Sequence, residues 1–288
     1  MIRVRSRWAA GSAIILMAAG VLFVWGLLNA RATPLQRETA VALPGWPTGA
    51  APITVALLSD IHIGNLAMDP ARLDRIVAQV DAARPDLIVL AGDFVVGEDP
   101  RGIEARAALL TAPLSRLKAP LGVVAVLGNH DYWTDSGRVG AALKAAGVTV
   151  LDNQASRRGP IVLAGVSDAV SDHDRIAETL DAARKLRGPV VVLSHPPDIA
   201  KGLPADAPLV LAGHTHCGQV VLPLLGPLPE RSPHKRGTLL YDKRYRCGVI
   251  HDPGRTVIVT AGLGAGTALI RFGAPPDFWL VTLGPQHP

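Results

Sequence analysis

The chain has 288 residues and a formal net charge of +5, with 49% hydrophobic, 18% charged and 4% aromatic residues. Low charge content and abundant apolar residues predict a folded core and exclude an intrinsically disordered chain. Because aromatic stacking residues are few and part of the positive charge lies at the N-terminus, we do not expect nucleic-acid binding as the main role.

The first feature along the chain is an uncharged segment from Trp8 to Ala30, preceded by three arginines. It is long enough to cross a bilayer as a helix, and Trp8 and Trp25 lie towards its ends. The arginines favour a cytoplasmic N-terminus and an exported remainder. Cleavage at the Ala-Arg-Ala of residues 30–32, as in a signal peptide, is the alternative. We expect residues 1–32 to be a membrane anchor.

A stretch rich in proline and glycine follows the anchor. Residues 33–52 contain four prolines and two glycines, a composition typical of a linker. No internal repeat is visible in the remainder, and its motifs spread through the whole length. We therefore expect residues 53–288 to form one domain.

Five short apolar runs in this domain each end at residues that bind metals. Continuous β-branched runs predict strands buried on both faces, and ligands lie beyond the carboxyl ends of such strands. One rim of the fold should thus gather three oxygen donors and four imidazoles, enough for two divalent metals and too many for one. In chain order these residues are Asp60, His62, Asp93, Asn129, His195, His214 and His216.

Helical patterns alternate with the strands as far as Gly213, and the chain is mostly strand-like after it. This alternation predicts an α/β fold. The predicted helices cover residues 72–83, 104–117, 137–146 and 174–186.

The order of the motifs resembles that of the calcineurin-like metallophosphoesterases. The pattern of that family is D-x-H, G-D, G-N-H-[DE], a lone His and G-H-x-H. It stands here as Asp60-Ile61-His62, Gly92-Asp93, Gly128-Asn129-His130-Asp131, His195 and Gly213-His214-Thr215-His216. The continuation Cys217-Gly218-Gln219 is similar to the signature of small bacterial members with an N-terminal membrane segment. The resemblance implies two stacked mixed β-sheets flanked by helices, with residues 53–288 as the catalytic domain.

The resemblance also implies a dimetal phosphohydrolase, and first of all a membrane-tethered phosphodiesterase in which a metal-bridging hydroxide attacks phosphorus. Asp93 matches the bridging position. Asp60, His62 and His216 would complete the first metal, and Asn129, His195 and His214 the second. Imidazole combined with carboxylate favours manganese, iron or zinc over magnesium or calcium. The substrate would be a phosphate ester, of lipid or cell-envelope origin.

Further roles follow from the same resemblance. His130 matches the residue that gives a proton to the leaving group or stabilises the transition state, and histidine suits the first task because its pKa lies near neutral pH. Asn129 and His130 would also contact substrate, together with Arg271, which would bind a phosphate. Asp131 is expected to fix the turn. Many family members carry an Asp three residues after the bridging one to orient the histidine, whereas this chain has Val96. Either Glu98 or Asp99 would take its place from a mobile loop, or His130 would act unassisted.

The segment of residues 223–246 and the two cysteines leave alternatives open. The segment is rich in proline and basic residues, which predicts either a solvated loop or a lid over an anionic or membrane-embedded substrate. Cys217 and Cys247 are the only cysteines. An exported domain would permit a disulfide between them, but two unpaired core residues are the simpler expectation.

Three functions therefore compete. The phosphodiesterase would be a single-pass protein of the bacterial inner membrane, with a periplasmic or extracellular catalytic domain. A pyrophosphatase acting on a nucleotide-linked lipid such as UDP-diacylglucosamine would instead need a site that faces the cytoplasm. A non-catalytic metal-binding scaffold is the alternative from another class. An amidohydrolase-type enzyme is set aside because it would carry H-x-H on its first strand.

Overall fold

The computed structural model describes residues 2–228, 238–266 and 268–286, with side chains from Ile14 onward. The helices of this part of the chain are α1 (Ile2–Ala30), α2 (Pro70–Ala82), α3 (Ile103–Leu114), α4 (Asn129–Thr134), α5 (Ser136–Ala145) and α6 (Ile176–Arg184). The strands are β1 (Leu35–Leu43), β2 (Ile53–Leu58), β3 (Leu87–Ala91), β4 (Val123–Val126), β5 (Thr149–Val150), β6 (Gln154–Arg158), β7 (Ile161–Gly165), β8 (Val190–Leu193), β9 (Leu209–Ala212), β10 (Val220–Leu222), β11 (Gly226–Leu228), β12 (Gly248–Asp252), β13 (Arg255–Val259) and β14 (Asp277–Pro285).

Two six-stranded mixed sheets form the centre of the fold. The first has the order β1-β14-β2-β3-β4-β5, and the second β12-β13-β9-β8-β7-β6. In the first sheet β2 to β5 run parallel, while β14 is antiparallel to β2 and parallel to β1. In the second sheet β7, β8, β9 and β13 run parallel, and β6 and β12 are antiparallel to their neighbours. The strands that carry the predicted ligands all belong to the parallel parts.

The alternation of side chains along each strand explains the layers. Leu57 and Val89 of the first sheet pack against Leu163 and Leu211 of the second, so the two sheets stack face to face. The intervening residues of the first sheet, such as Leu58, contact α2, α3 and α5 on its outer face. In the same way, α6 covers the outer face of the second sheet. The prediction of an α/β fold with two mixed sheets and flanking helices is confirmed.

The N-terminal region differs in part from the prediction. Residues 35–43, within the segment predicted as a linker, form strand β1, which pairs in parallel with β14. The reason is visible in the sequence of the segment, where Leu35–Leu43 contains no glycine or proline and includes the alternating apolar residues Val41 and Leu43. Over the residues that the structure describes, no helix is long and apolar enough to cross a membrane.

Candidate metal centre

The carboxyl ends of five strands meet at one rim and bring together all seven predicted ligands. Asp60 and His62 follow β2, Asp93 follows β3, and Asn129 begins α4 directly after β4. From the second sheet, His195 follows β8, and His214 and His216 follow β9. Five of the seven are buried, and His214 and His216 are half-buried. Two groups of three, Asp60-His62-His216 and Asp60-Asp93-His195, have potential ligand atoms within 4.8 Å of one another.

The first half of the centre surrounds Asp60 Oδ1. His216 Nε2 lies 3.3 Å from this oxygen and His62 Nε2 lies 3.9 Å from it. The two imidazole nitrogens are 3.2 Å apart. His62 Nε2 is also 3.5 Å from Asp93 Oδ2, so the first half extends to Asp93.

The second half of the centre surrounds His195 Nε2. Asp93 Oδ2 lies 3.2 Å from this nitrogen, Asn129 Oδ1 3.1 Å, and His214 Nδ1 3.2 Å. Asp93 Oδ2 therefore belongs to both halves and lies between them. One carboxylate between two groups of donors is the arrangement that a pair of cations requires.

The donor set fits divalent cations. His195 Nδ1 donates to Ala91 O at 2.7 Å, and His214 Nε2 is 3.2 Å from Leu240 O, so the other nitrogen of each ring faces the cluster and is the one that can bind a cation. The buried Oδ1 of Asp60 has no hydrogen-bond partner among the described residues. Lone pairs that face one another at about hydrogen-bond distance repel, and a cation among them removes this repulsion.

The electrostatics of the protein alone keep most of the imidazoles neutral. Burial lowers the pKa of His62 to about 3 and that of His214 to about 4. Burial, together with the nearby Arg271 guanidinium, holds the pKa of His216 well below its usual range. Neutral imidazole is the form that binds metal, so these side chains need lose no proton to act as ligands.

Asp93 and His195 form a charged pair at the middle of the centre. Burial opposes ionisation of Asp93, but the adjacent His195 outweighs it and holds the pKa of Asp93 well below its usual range. Burial likewise opposes protonation of His195, yet Asp93 raises the pKa of His195 to about 10. Burial raises the pKa of Asp60 to about 6. Because metal ligands bind in their deprotonated forms, cations at this centre would displace the His195 proton.

The backbone at the rim is strained in a way that is common at functional sites. Asp60, His62, Asp93, His214 and His216 all have positive φ, between 47° and 70°. Left-handed backbone costs a non-glycine residue about 1–2 kcal/mol. Five such residues at one rim indicate that the fold holds these side chains in place against their local preference.

Asp131 connects the loops that carry Asp93 and Asn129. Its Oδ2 accepts the N–H groups of Asp93 at 3.0 Å and Gly128 at 2.9 Å, and its Oδ1 accepts that of Phe94 at 2.9 Å. Burial and the Asp93 charge raise the pKa of Asp131 to about 7, whereas the N–H donors act in the opposite direction. As predicted, Asp131 fixes the turn, and it also holds the end of β3.

His130 is oriented by a backbone carbonyl in place of the aspartate that many relatives carry. Its Nδ1 is 2.8 Å from Gly97 O, the residue after Val96, and its own N–H donates to Asp93 Oδ1 at 2.9 Å. Gly97 has φ +96°, a conformation that favours glycine. With Nδ1–H donating to the carbonyl, Nε2 is the nitrogen left to take up and release a proton, on a ring whose centroid lies 5.0 Å from that of His62. Sequence reasoning missed Gly97 because a carbonyl has no residue-type signal.

Arg271 was predicted to bind a phosphate, but its side chain is bound to the protein itself. The side chain is fully buried, and its donors reach the carbonyl oxygens of Gly264, Ala274 and Ala261 at 2.6–3.0 Å. Its Nη2 also lies 3.1 Å from His216 Nδ1. A guanidinium whose donors are occupied in this way is not open to a phosphate. Arg271 instead supports His216 and the loop of residues 261–266, whose carbonyl oxygens accept its hydrogen bonds.

The expectation of unpaired cysteines is wrong, because Cys217 and Cys247 form a disulfide with a Cα–Cα distance of 4.8 Å. The bond joins the loop of His214 and His216 to the start of β12. Thr215 Oγ1 adds a hydrogen bond to Arg246 O at 2.6 Å.

Within the segment predicted as a loop or lid, residues 229–237 lie outside the described part of the chain. The described end of the segment contacts the centre through Leu240 O.

Comparison with known proteins identifies the family. The sequence profile described as calcineurin-like phosphoesterase matches residues 53–218, more than half of the chain. The chain belongs to this family and is a metal-dependent phosphoester hydrolase; members of the family typically bind two divalent metals.

Two relatives and one solved structure illustrate what the chain is similar to. Phosphodiesterase YaeI of Escherichia coli (strain K12) is 31% identical over 260 residues, which cover 83% of this chain and 89% of the relative. A Danio rerio protein named transmembrane protein with metallophosphoesterase domain is 32% identical over 224 residues, or 72% of this chain. The chain spans 50% of the length of that relative. Among solved structures, a 5'-nucleotidase precursor from Thermus thermophilus aligns with 81% of this chain and 55% of its own, at 17% identity and a TM-score of 0.46.

Proposed function

We propose that this protein is a dimetal phosphodiesterase held at a membrane by α1. The observation that carries the proposal is the position of Asp93 Oδ2, 3.5 Å from His62 Nε2 on one side and 3.2 Å from His195 Nε2 on the other. The diesterase activity is supported by the name of the Escherichia coli relative, which this chain matches over most of both lengths.

The seven clustered residues would hold two ions. Asp93 would belong to both sites, with Asp60, His62 and His216 completing one and Asn129, His195 and His214 the other. Two bound divalent ions would supply a nucleophile at neutral pH and neutralise phosphoryl charge. The imidazole and carboxylate donors favour manganese, iron or zinc.

His130 delivers the proton that the leaving oxygen requires. The hydrogen bonds of its Nδ1 to Gly97 O and of its N–H to Asp93 Oδ1 fix the ring beside the ligand cluster. Proton transfer needs a fixed donor within hydrogen-bond reach; the first bond orients the ring, and the second holds the backbone that carries it. Asn129 and His130 also contact the substrate phosphate.

The membrane tether is supported by the surface of α1. Between Ile14 and Leu28 its large apolar side chains other than Leu27 are exposed, including Leu16 at 72% and Trp25 at 55%. Exposed apolar area of this extent indicates contact with another apolar phase. The charge-free sequence from Trp8 to Ala30 and the name of the Danio rerio relative point to a membrane.

The disulfide favours an exported catalytic domain over a cytoplasmic one. Structural disulfides persist in oxidising compartments such as the periplasm and are rare in the cytosol. The Cys217–Cys247 bond therefore supports a single-pass protein of the bacterial inner membrane with a periplasmic or extracellular domain, and counts against a pyrophosphatase for cytoplasmic nucleotide-linked lipids.

A hydrolysis panel tests the reaction. Full-length protein reconstituted with manganese, iron or zinc is assayed on p-nitrophenyl phosphate, bis-p-nitrophenyl phosphate and UDP-diacylglucosamine. We expect the diester to be hydrolysed fastest. His62→Asn should abolish turnover, whereas His251→Asn, at an exposed histidine of β12, should leave it unchanged. Faster hydrolysis of the nucleotide-linked lipid would replace the proposal, and no turnover by metal-loaded protein would favour the scaffold.

A pair of fusions behind Pro288 tests the topology. A reporter active only after export should be active, and one active only in the cytoplasm should not. The opposite result would contradict export and favour the pyrophosphatase. Recovery of a mature chain that begins near Thr33 would show export without a permanent anchor.

A further inference from the structure

The C-terminal half of α1 packs directly on residues 270–273 of the catalytic domain. The Trp25 and Phe272 rings make an edge contact with centroids 5.3 Å apart. Arg271 N–H donates to Gly26 O at 3.0 Å, and Asn29 Nδ2 donates to Arg271 O at 3.3 Å. A Cβ at Gly26 would lie 2.8 Å from Phe272, so the contact tolerates only glycine. The orientation of the helix on the domain is therefore fixed.

The opposite edge of the same segment holds the hairpin of β10 and β11. Phe272 N–H donates to Gln219 O at 2.9 Å, and Val221 N–H donates to Phe272 O at 2.8 Å. The helix and the hairpin thus lie on opposite sides of residues 270–273. The medium that surrounds the exposed part of α1 is therefore also next to the hairpin.

The tip of this hairpin exposes two consecutive leucines. Leu224 is fully exposed and Leu225 is 73% exposed. Leu224 also has φ +67°, where glycine or asparagine would be less strained. Exposure and left-handed backbone both disfavour leucine in water, so the fold itself gives no reason for an apolar residue at this tip.

The metal centre opens beside the end of α1. Ala30, the last residue of the helix, packs against Ala67 and Ala265. Gly266, which follows Ala265 in the chain, lies close to the predicted ligands. A Cβ on Gly266 would be 3.7 Å from both His62 Nε2 and His216 Nε2. Only the thickness of one backbone segment separates the helix end from the first half of the centre.

We infer that the Leu224–Leu225 tip enters the bilayer that holds α1, and that the substrate is a phosphodiester lipid presented at the surface of that bilayer. The inference rests on the proposed tether and diesterase activity. Hydrolysis would add water to phosphorus and break one P–O ester bond, releasing an alcohol and leaving a phosphomonoester.

The position of the tip can be measured without activity. Full-length Leu225→Cys, labelled with an environment-sensitive fluorophore, is placed in nanodiscs of equal parts phosphatidylcholine and phosphatidylglycerol, and Leu109→Cys on α3 is the matched control. The native cysteines are paired and take no label. We expect a blue shift and quenching by spin-labelled lipid at position 225 and neither at 109. Equal solvent exposure of both labels would overturn the inference.

A second variant separates membrane contact from chemistry. Leu224→Asn with Leu225→Asn suits the left-handed turn, so the protein should fold, while the apolar tip is lost. We expect hydrolysis of soluble bis-p-nitrophenyl phosphate to stay within about twofold, and hydrolysis of phosphatidylglycerol in vesicles to fall on the order of tenfold or more. Leu109→Asn should change neither rate.

The outcomes distinguish failure of the proposed membrane contact from failure of the proposed diesterase activity. If the parent protein hydrolyses the soluble diester but the tip variant loses nothing on vesicles, the inference fails and the proposed activity stands. If the parent hydrolyses neither diester, the proposed function fails, whatever the label at position 225 reports. Loss of both rates in the tip variant would show a folding or active-site defect and overturn the role assigned to the tip.

Discussion

Gly97→Ala removes the conformational freedom that lets a backbone carbonyl orient His130. Gly97 has φ +96° with open space around the position of a Cβ, so the added methyl meets no atom and acts through the backbone alone. Left-handed backbone costs a residue such as alanine about 1–2 kcal/mol. The loop will relieve this strain by rotating, and rotation moves the Gly97 carbonyl away from His130 Nδ1, which it now meets at 2.8 Å.

The size of the effect follows from the bond that is lost. A neutral hydrogen bond contributes about 0.5–1.5 kcal/mol, which is a factor of about 2–13 in rate if it is needed in the transition state. Complete loss of a general acid lowers the rate about 10²- to 10⁴-fold, so Gly97→Ala should be much milder than removal of His130. We expect kcat to fall about fivefold on a diester with an alkyl leaving group and to change little on bis-p-nitrophenyl phosphate, whose leaving group needs no proton.

The assay compares both substrates with a control that has the same backbone cost. Gly147→Ala, at φ +80° with open space after α5, should lower thermal stability by a similar amount and leave both rates unchanged. An equal loss on both substrates for Gly97→Ala would mean that the loop binds substrate or metal. No loss on either would refute the idea that this carbonyl orients His130.

Other substitutions test individual roles. Asp93→Asn should abolish turnover and reduce metal content below two ions per chain, because an amide cannot bridge two cations; two bound metals with normal turnover would contradict the bridge. His130→Asn should lose about 10²-fold or more on alkyl diesters and less on nitrophenyl diesters, and equal losses would indicate a binding role. Arg271→Met should destabilise the fold by at least about 3 kcal/mol in denaturant unfolding, since several buried carbonyls lose their donor; a raised KM at unchanged stability would restore the predicted phosphate contact. Replacing both cysteines of the disulfide by serine should cost roughly 3–4 kcal/mol, and unchanged unfolding under oxidising conditions would refute that contribution.

The strand ends of the metal centre were predictable because two regular patterns coincide there. Continuous apolar runs indicate parallel strands, and parallel strands bring their carboxyl ends to one rim. Asp93 and His195 lie on different sheets, yet the rule applies to both, so their ligand atoms could be expected to approach. The clustering of the seven side chains in the structure agrees with that expectation.

The features that sequence reasoning missed depend on contacts between distant parts of the chain. Gly97 acts through a carbonyl, and every residue has a carbonyl. Arg271 was predicted as a phosphate ligand from its resemblance to an arginine of the family, but the carbonyls of Ala261, Gly264 and Ala274 occupy its donors. Strand β1 lies between prolines that suggested a linker, and it is stabilised by pairing with β14, more than two hundred residues away in the chain.

The place of β14 has a consequence for how the protein is made. Strand β14 lies between β1 and β2, so the first sheet is incomplete until residues 277–285 have left the ribosome. Until then β2, which carries Asp60 and His62 at its end, has an open edge of the kind that pairs with other chains. Strand β1 leaves the ribosome more than two hundred residues before β14, and it cannot join the sheet until β14 has been made. Loss of residues 277–285 would therefore remove an interior strand, and the stage of synthesis most exposed to aggregation is the period before β14 arrives.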